Sequence, residues 1–508
     1  MPRAALCSTM VSTSRLWTLA FLAATVIAGA LPVWWFTTRV HRAELPESSI
    51  AAAAARAQRW RWRTRVAICH RGDVDVDVAD VAAAVRRIVD ERAVVKAKAD
   101  FVYQWLVDAE DKCPPTADAG GEADVRFVLT PVPEGPDAVS EVYMGTEREA
   151  RVHVRHTDAD AVGGLVARAL LALFRHPADV CPQCEAMRLP TADAYRLAFH
   201  RVVARPTGES LADGVWDFDG EYVRPYLARL VERLAALATV DLTSAVHFLP
   251  GGDDVLPAGA RLSLEEQKNL VNQLGLNLDS STAAVTPTDP LVHLLVLDAA
   301  RAGNASDASL AGSQLNAFVL PRWGGVQLRK ADARQEAAVF VAQLRQLLGV
   351  PDYLVGTTDD GRAPAFVASA GGLAAWEADN LMRLRTLEHV RATTRILATL
   401  LRLVAQRPGM LVLDRVAERV DAALALLPHD DYGNVTRAHA DAQQARAIAE
   451  SVKLDETMVS MLYFPDDQKA MVYLPIILPL MLPLVRTFSH NIRRYRRRVA
   501  EVKAGKSE

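Results

Sequence analysis

Cysteine is scarce: the chain has five in 508 residues. So few cannot staple a disulfide-dense scaffold, though Cys69, Cys113, Cys181 and Cys184 permit one or two bonds. Aromatic residues make up only 6%, and the net charge is −3. The small charge excludes a strongly basic nucleic-acid binder, and a hydrophobic content of 50% excludes chain-wide disorder. Local catalytic signatures are missing too. There is no HExxH, GxSxG, GxGxxG or GxxxxGK[ST]. The sequence therefore names no catalytic residue, no cofactor-binding residue and no metal ligand. An active site assembled from distant residues stays open.

What is present is unevenly placed. Residues 1–15 carry +2 from Arg3 and Arg15, and residues 486–508 carry +6, which leaves −11 between them. The run Leu16 to Thr38 has no charge in 23 residues. As a helix it would rise ~35 Å, enough for the ~30 Å hydrocarbon layer. Trp17 and Trp34-Trp35-Phe36 mark its two ends, as interfacial aromatics do. Ala28-Gly29-Ala30 also fits a cleavage site, so a removed signal peptide is the alternative. A second apolar run, Ala470 to Val485, carries Pro475, Pro479 and Pro483. Each proline removes a backbone donor, so a membrane helix here would be short, kinked and dependent on neighbouring helices.

Arg493, Arg494, Arg496, Arg497 and Arg498 follow the second run. The positive-inside tendency places them in the cytosol, and two spans would return the N-terminus there. The domain reading is a cytosolic 1–15, a membrane helix 16–38, a lumenal α/β domain 39–370, a lumenal helical section 371–469, a membrane helix 470–487 and a basic cytosolic tail 488–508. The expected fold class is thus an α/β lumenal body with a helical C-terminal section, flanked by two transmembrane helices. Two glycosylation sequons, at Asn304 and Asn434, fit a lumenal face.

Periodicity fills in the middle. Strands are expected at Thr64–Cys69, Val125–Leu129, Glu141–Tyr143, Arg151–Arg155, Tyr195–Val203, Val246–Leu249 and Leu291–Leu297. Helices are expected over Val78–Asp90, Leu165–Phe174, Tyr222–Ala238, Ala333–Leu348, Ala374–Ala405, Leu411–Leu427 and Arg437–Val459. No short internal repeat is visible.

Cys181-Pro-Gln-Cys184 reads as a structural disulfide or plain thiols, with a redox dithiol or half of a zinc site as alternatives. Asp73, Asp75 and Asp77 read as one solvated face. Trp323-Gly324-Gly325 after Pro321 makes a tight turn. Its indole either packs on the body or offers a contact point to a partner.

Three stretches carry a family resemblance. Gly29 to Pro46, with Trp34-Trp35, resembles the first membrane segment and its exit in the PIG-S subunit of GPI transamidase. Phe318-Val-Leu-Pro-Arg-Trp-Gly-Gly-Val326 resembles that family's Pro-x-Trp-Gly-Gly element. Leu462 to Pro475, with Tyr463, Phe464, Pro465, Asp466 and Asp467, resembles its approach to the final span. Their order and spacing also fit. The resemblance implies a non-catalytic subunit of an endoplasmic reticulum complex. That complex removes a C-terminal signal and joins the new carboxyl end to a GPI lipid. Partners of the PIG-K, PIG-T, PIG-U and GPAA1 type and membrane lipid are implied, with the protease-like chemistry in PIG-K, and nucleic acid is not. Trp34, Trp35, Trp323, Gly324, Gly325, Tyr463, Phe464, Pro465, Asp466, Asp467, Pro475, Pro479 and Pro483 would be structural or interface residues. The alternative is a membrane-anchored lumenal hydrolase or transferase with a non-local active site.

Overall fold

A computed structural model describes residues 42–95, 102–110, 112–113, 124–131, 141–154, 158–174, 186–204, 216–249, 261–263, 265–269, 271–272, 289–298, 309–310, 313–329, 332–350, 365–366, 372–407, 410–428, 434–456 and 466–504, with Phe21, Ala24, Ala28 and Gly29. They fall into two compact units. The larger takes Ala53–Ala392 and Leu426–Arg446, the smaller Met1–Ala52, Thr393–Ala425 and Ala447–Glu508.

The larger unit holds two sheets. The first uses β1 (Arg61–His70), β2 (Val102–Glu110), β3 (Val125–Pro131), β4 (Glu141–Met144) and β5 (Glu149–Val154). Their order is β4-β5-β3-β1-β2, all parallel except the β4–β5 hairpin. The second uses β6 (Ala194–Ala204), β7 (Thr239–Leu249), β9 (Leu291–Asp298), β11 (Ala317–Leu320) and β12 (Gly324–Leu328), in the order β11-β12-β9-β6-β7. Short pieces β8 (Arg261–Leu262) and β10 (Ser309–Leu310) pair with each other, and β13 (Ala365–Phe366) extends the first sheet beside β4.

The two sheets have one topology. In each, the first strand is central, the second lies on one side and the third on the other. A hairpin then brings its second arm, β5 or β12, parallel to the third strand. The crossover from first to second strand is helical both times: α2 (Val78–Val95), following α1 (Glu47–Gln58), in the first module. In the second it is a π-helical segment, Asp219–Leu227, running on into the α-helix Ala228–Ala235. Pro225 lies inside that π segment and has no N–H to give to the ladder. A helix follows each last strand: Ala159–Leu173 in the first module and Ala333–Leu348 in the second. Both start on an aspartate N-cap, Asp158 and Asp332, whose side chain accepts the backbone N–H two residues on.

Alternation along the central strands explains the layers. Val66 and Ile68 of β1, Phe127 and Leu129 of β3 and Val152 of β5 pack under α2 and Ala159–Leu173. Leu197 and Phe199 of β6 and Leu294 and Val296 of β9 pack under Phe340, Leu344 and Leu347. Cys69 and Cys113 form a disulfide that closes 44 residues of chain next to the carboxyl ends of β1 and β2. Closing a loop of that length is worth about 4 kcal/mol by chain entropy. Reduction, or Cys113→Ser, is expected to lower the urea midpoint accordingly, read by tryptophan fluorescence; an unchanged midpoint would contradict this.

The smaller unit is helical. Ile50, Leu397, Leu400, Val412, Val416, Val420, Ala449 and Val452 form its core. Asp455 there accepts Arg415 at 3.1 Å and faces Arg419 at 3.5 Å. The long C-terminal helix, Asp466–Ala504, has 39 residues and includes the expected span 470–487.

That span corrects the expected fold class. Among the described residues no helix is long and apolar enough to cross a membrane. The uncharged run 470–485 would rise only ~24 Å as a helix, short of the ~30 Å hydrocarbon layer. The same helix then continues into Arg486 and the arginine cluster. The two flanking transmembrane helices, and the multi-pass placement with cytosolic termini and a lumenal body that rested on them, are therefore withdrawn. The first expected span, 16–38, lies outside the described residues except for Phe21, Ala24, Ala28 and Gly29. The mixed α/β body with a helical C-terminal region stands.

Candidate functional site: the tryptophan turn and the buried polar helix

Two places in the larger unit gather the polar residues. The first is the turn from β11 to β12. Phe318 pairs with Val326 and Leu320 with Gly324, leaving Pro321-Arg322-Trp323 as the loop. Arg322 takes a left-handed conformation (φ 61°) to close it. Gly324 has φ 155° and lies so close to β9 that a Cβ there would fall 1.8 Å from the His293 carbonyl oxygen. Gly325 sits against Gln343, whose side chain a Cβ would meet at 2.4 Å. Gln343 Nε2 donates to the Val326 carbonyl at 3.0 Å and the Phe318 carbonyl at 3.3 Å, tying the hairpin to the helix that follows.

The Trp323 ring stacks on His293, centroids 5.0 Å apart. From there a row of imidazoles crosses the sheet. His200 pairs in register with Leu295 and Ala245, so His293 and His247, two residues away, share its face. His200 Nε2 lies 3.1 Å from His293 Nδ1, and His200 Nδ1 lies 3.0 Å from His247 Nε2. Burial, then the neighbouring His293 and His247, push His200 down to about 3. Being neutral, it donates once and accepts once. Among the described residues no group of three or more His, Cys, Asp or Glu could hold a metal ion.

The second place is the first half of the helix Ala375–Gln406, which carries buried Glu377, Asp379, Arg383, Arg385, Thr386 and His389. Each charge but one reaches a partner. Towards the first module, Asp379 takes both arms of Arg148 at 2.6 and 2.9 Å. Arg383 Nη2 donates to Asp124 at 2.8 Å and its guanidinium lies over Phe174. Trp376 Nε1 donates to the Gly145 carbonyl at 3.1 Å. Towards the second module, Glu377 takes Arg345 bidentately at 2.8 and 2.9 Å, and half-buried Glu388 takes Arg188 and the Thr191 hydroxyl. The helix is thus wedged between the two modules and clamped to both. His389, beside His439, is pushed to about 3 by burial and then by His439, Arg446 and Arg385.

These imidazoles set a pH dependence. His200 and His389 stay neutral in the folded chain down to about 3, whereas an unfolded imidazole takes its proton near 6.5. Below 6.5 the unfolded state binds protons the folded state refuses, so stability is complete above 6.5 and falls as pH drops towards 3. The slope approaches ~1.4 kcal/mol per pH unit for each imidazole. The urea midpoint is expected to fall between pH 7 and 5 and to fall less steeply in His389→Gln. A midpoint flat over that window would contradict the assignment.

The other residues singled out by sequence fall elsewhere. Asn434 is exposed and its Oδ1 accepts the Arg437 N–H at 3.1 Å, capping the helix Val435–Lys453. Asp466 and Asp467 open the long C-terminal helix, and Pro475, Pro479 and Pro483 are exposed within it. Trp34, Trp35, Asn304, Tyr463, Phe464, Pro465, Cys181 and Cys184 lie outside the described residues. The histidine row and the clamped helix are what sequence reasoning missed. His200 and His247 are isolated in sequence. The polar residues after Trp376 follow a helical period that hides which of them face inward.

Paired carboxylates and guanidiniums that bolt two like modules to one helix define a class: a two-module α/β scaffold in a chain that also carries a helical unit. The family model described as phosphatidylinositol-glycan biosynthesis class S protein, PIG-S, matches residues 20–498. The chain belongs to that family. It is 26% identical over 529 residues to a mouse protein named GPI-anchor transamidase component PIGS, covering 92% of each. The human protein of the same name is also 26% identical, over 535 residues and 92% of each. A fission-yeast GPI transamidase component PIG-S homolog is 22% identical over 493 residues, covering 89% of this chain and 79% of its own.

Proposed function

We infer that the chain serves the endoplasmic reticulum complex that attaches GPI anchors to proteins after removing their C-terminal signal. It is a non-catalytic subunit of that GPI transamidase. The observation that carries this is the family match along nearly the whole chain. The structure adds a physical reason for a scaffold role. Glu377, Asp379 and Arg383 of the larger unit's central helix are spent on clamping its modules together.

The finer reading concerns partners and contact residues. Subunits of the PIG-K, PIG-T, PIG-U and GPAA1 type are the proposed neighbours, with cleavage and transfer performed by the PIG-K type. Trp323, Gly324 and Gly325 are proposed as structural residues of the hairpin. Trp34, Trp35, Tyr463, Phe464, Pro465, Asp466, Asp467, Pro475, Pro479 and Pro483 are proposed as structural or interface residues. Asn304 and Asn434 are proposed glycan sites. At Asn434 the glycan would occupy the amide nitrogen, leaving Oδ1 to cap the helix.

Cells lacking the chain are expected to lose GPI-anchored proteins from their surface and to accumulate precursors with uncleaved C-terminal signals. Re-expression should restore both. Normal anchoring without the chain would contradict the reading.

A further inference from the structure

The exception among the charges of the central helix is Arg385. It is 95% buried, with only 5% of its surface exposed. Its guanidinium lies 5.0 Å over the Tyr195 ring, and among the described residues no carboxylate, carbonyl or hydroxyl accepts any of its N–H groups. The ring cannot accept at hydrogen-bonding strength, and Tyr195 Oη is already engaged: it donates to the Pro190 carbonyl at 2.7 Å and accepts the Ala192 N–H at 3.1 Å. A buried guanidinium with five idle donors is costly. The Arg385 nitrogens are not among the fully enclosed unpartnered atoms, unlike Arg383 Nε, so they keep some access from outside.

The surroundings are cationic. Arg188 acts on Arg385, and Arg446, which donates to the Thr191 carbonyl at 2.9 Å, acts with Arg385 on His389. Glu388 is taken by Arg188 and Thr191. Asp193 acts on His439, whose Nε2 lies 3.0 Å from the Leu237 carbonyl. Burial lowers the Arg385 pKa, as expected of a cation without a counter-ion.

We propose that Arg385 is the anchor of an anion-binding site at the junction of the central helix with the Pro190–Tyr195 segment, and that it takes an oxyanion that can present two acceptor oxygens. A planar guanidinium fork offers two parallel N–H donors to two oxygens, the geometry shared by a carboxylate and a phosphodiester. The Tyr195 ring covers one side of the guanidinium. This site is independent of the role proposed above, since it rests on Arg385 and its neighbours alone.

The test uses the full-length chain at pH 7.5 and fixed ionic strength. Thermal unfolding is followed by tryptophan fluorescence while chloride is replaced by acetate or by dimethyl phosphate. The wild-type midpoint is expected to rise with the concentration of at least one of them. Acetate alone would identify a carboxylate ligand, dimethyl phosphate alone a phosphodiester. Arg385→Met, which removes the unpaired charge and keeps the volume, is expected to unfold no lower than wild type in chloride and to lose the response. Arg385→Lys keeps the charge without the fork and is expected to bind about tenfold more weakly, one lost charge-assisted hydrogen bond being worth about 1.4 kcal/mol. No response of the wild type to either anion, or an equal response in Arg385→Met, would overturn the proposal.

Discussion

Gly324→Ala is expected to destabilise the larger unit by about 3 kcal/mol or more, because no small adjustment makes room for the methyl group. The obstacle is backbone: the His293 carbonyl oxygen would lie 1.8 Å from the new Cβ, and the His293 carbon and nitrogen at 2.7 and 2.9 Å. The positive φ of 155° adds a conformational penalty of its own. The register of β12 on β9 would have to open at Gly324–His293, where the sheet also carries the Trp323–His293 stack. Gly325→Ala meets only the side chain of Gln343 and is expected to cost less. Urea unfolding of the two variants side by side checks the order. Equal, small losses would mean that the Pro-x-Trp-Gly-Gly element is not held by this close approach.

Arg383→Ala is expected to cost about 3–5 kcal/mol, the range for stripping one partner from a buried ion pair. Arg383 is 1% exposed, and its loss would leave Asp124 facing the gap without that cation. Asp124 Oδ2 also accepts the Arg65 N–H at 2.9 Å, so its position fixes the start of β3 against β1. Replacing both partners at once, Arg383→Met with Asp124→Asn, is expected to recover a large part of the loss. If the double variant is as unstable as the sum of the single ones, the pair does not act as a unit and the helix is not clamped as described.

Much of the fold was legible in the sequence, and the reasons differ by element. Leu291–Asp298 is a nearly continuous apolar run because β9 is covered on both faces. Ala333–Leu348 has sharp ends because Asp332 and Gly349 cap it, Gly349 in a left-handed conformation. β2 was missed, since Val102–Glu110 mixes Gln104, Asp108 and Glu110 into an edge strand that needs little burial. β7 was recognised only from Val246 onward, although it begins at Thr239, for the same reason: it too is an edge strand. The shared topology of the two modules left no trace as a sequence repeat. It lives in strand order and pairing, which sets of apolar residues as unlike as Val66-Ile68 and Leu197-Phe199 satisfy equally well. The tryptophan turn was visible as a turn, but its histidine partner lies 30 residues earlier on another strand.

The apolar run around Pro475, Pro479 and Pro483 shows the opposite failure. Its composition argued for a second membrane helix, yet sixteen uncharged residues are a length that composition alone overvalues. The helix that contains it extends well into charged sequence.

The central claim is that this chain acts as a non-catalytic member of an assembly. Purification of the tagged full-length chain under mild conditions, with mass spectrometry of whatever accompanies it, tests that most directly. The expected result is a cysteine-protease-like subunit recovered in stoichiometric amount with further subunits, and transamidation activity in the eluate that is lost when the protease-like cysteine is replaced. Recovery of this chain alone, or transamidation by this chain without the others, would contradict it.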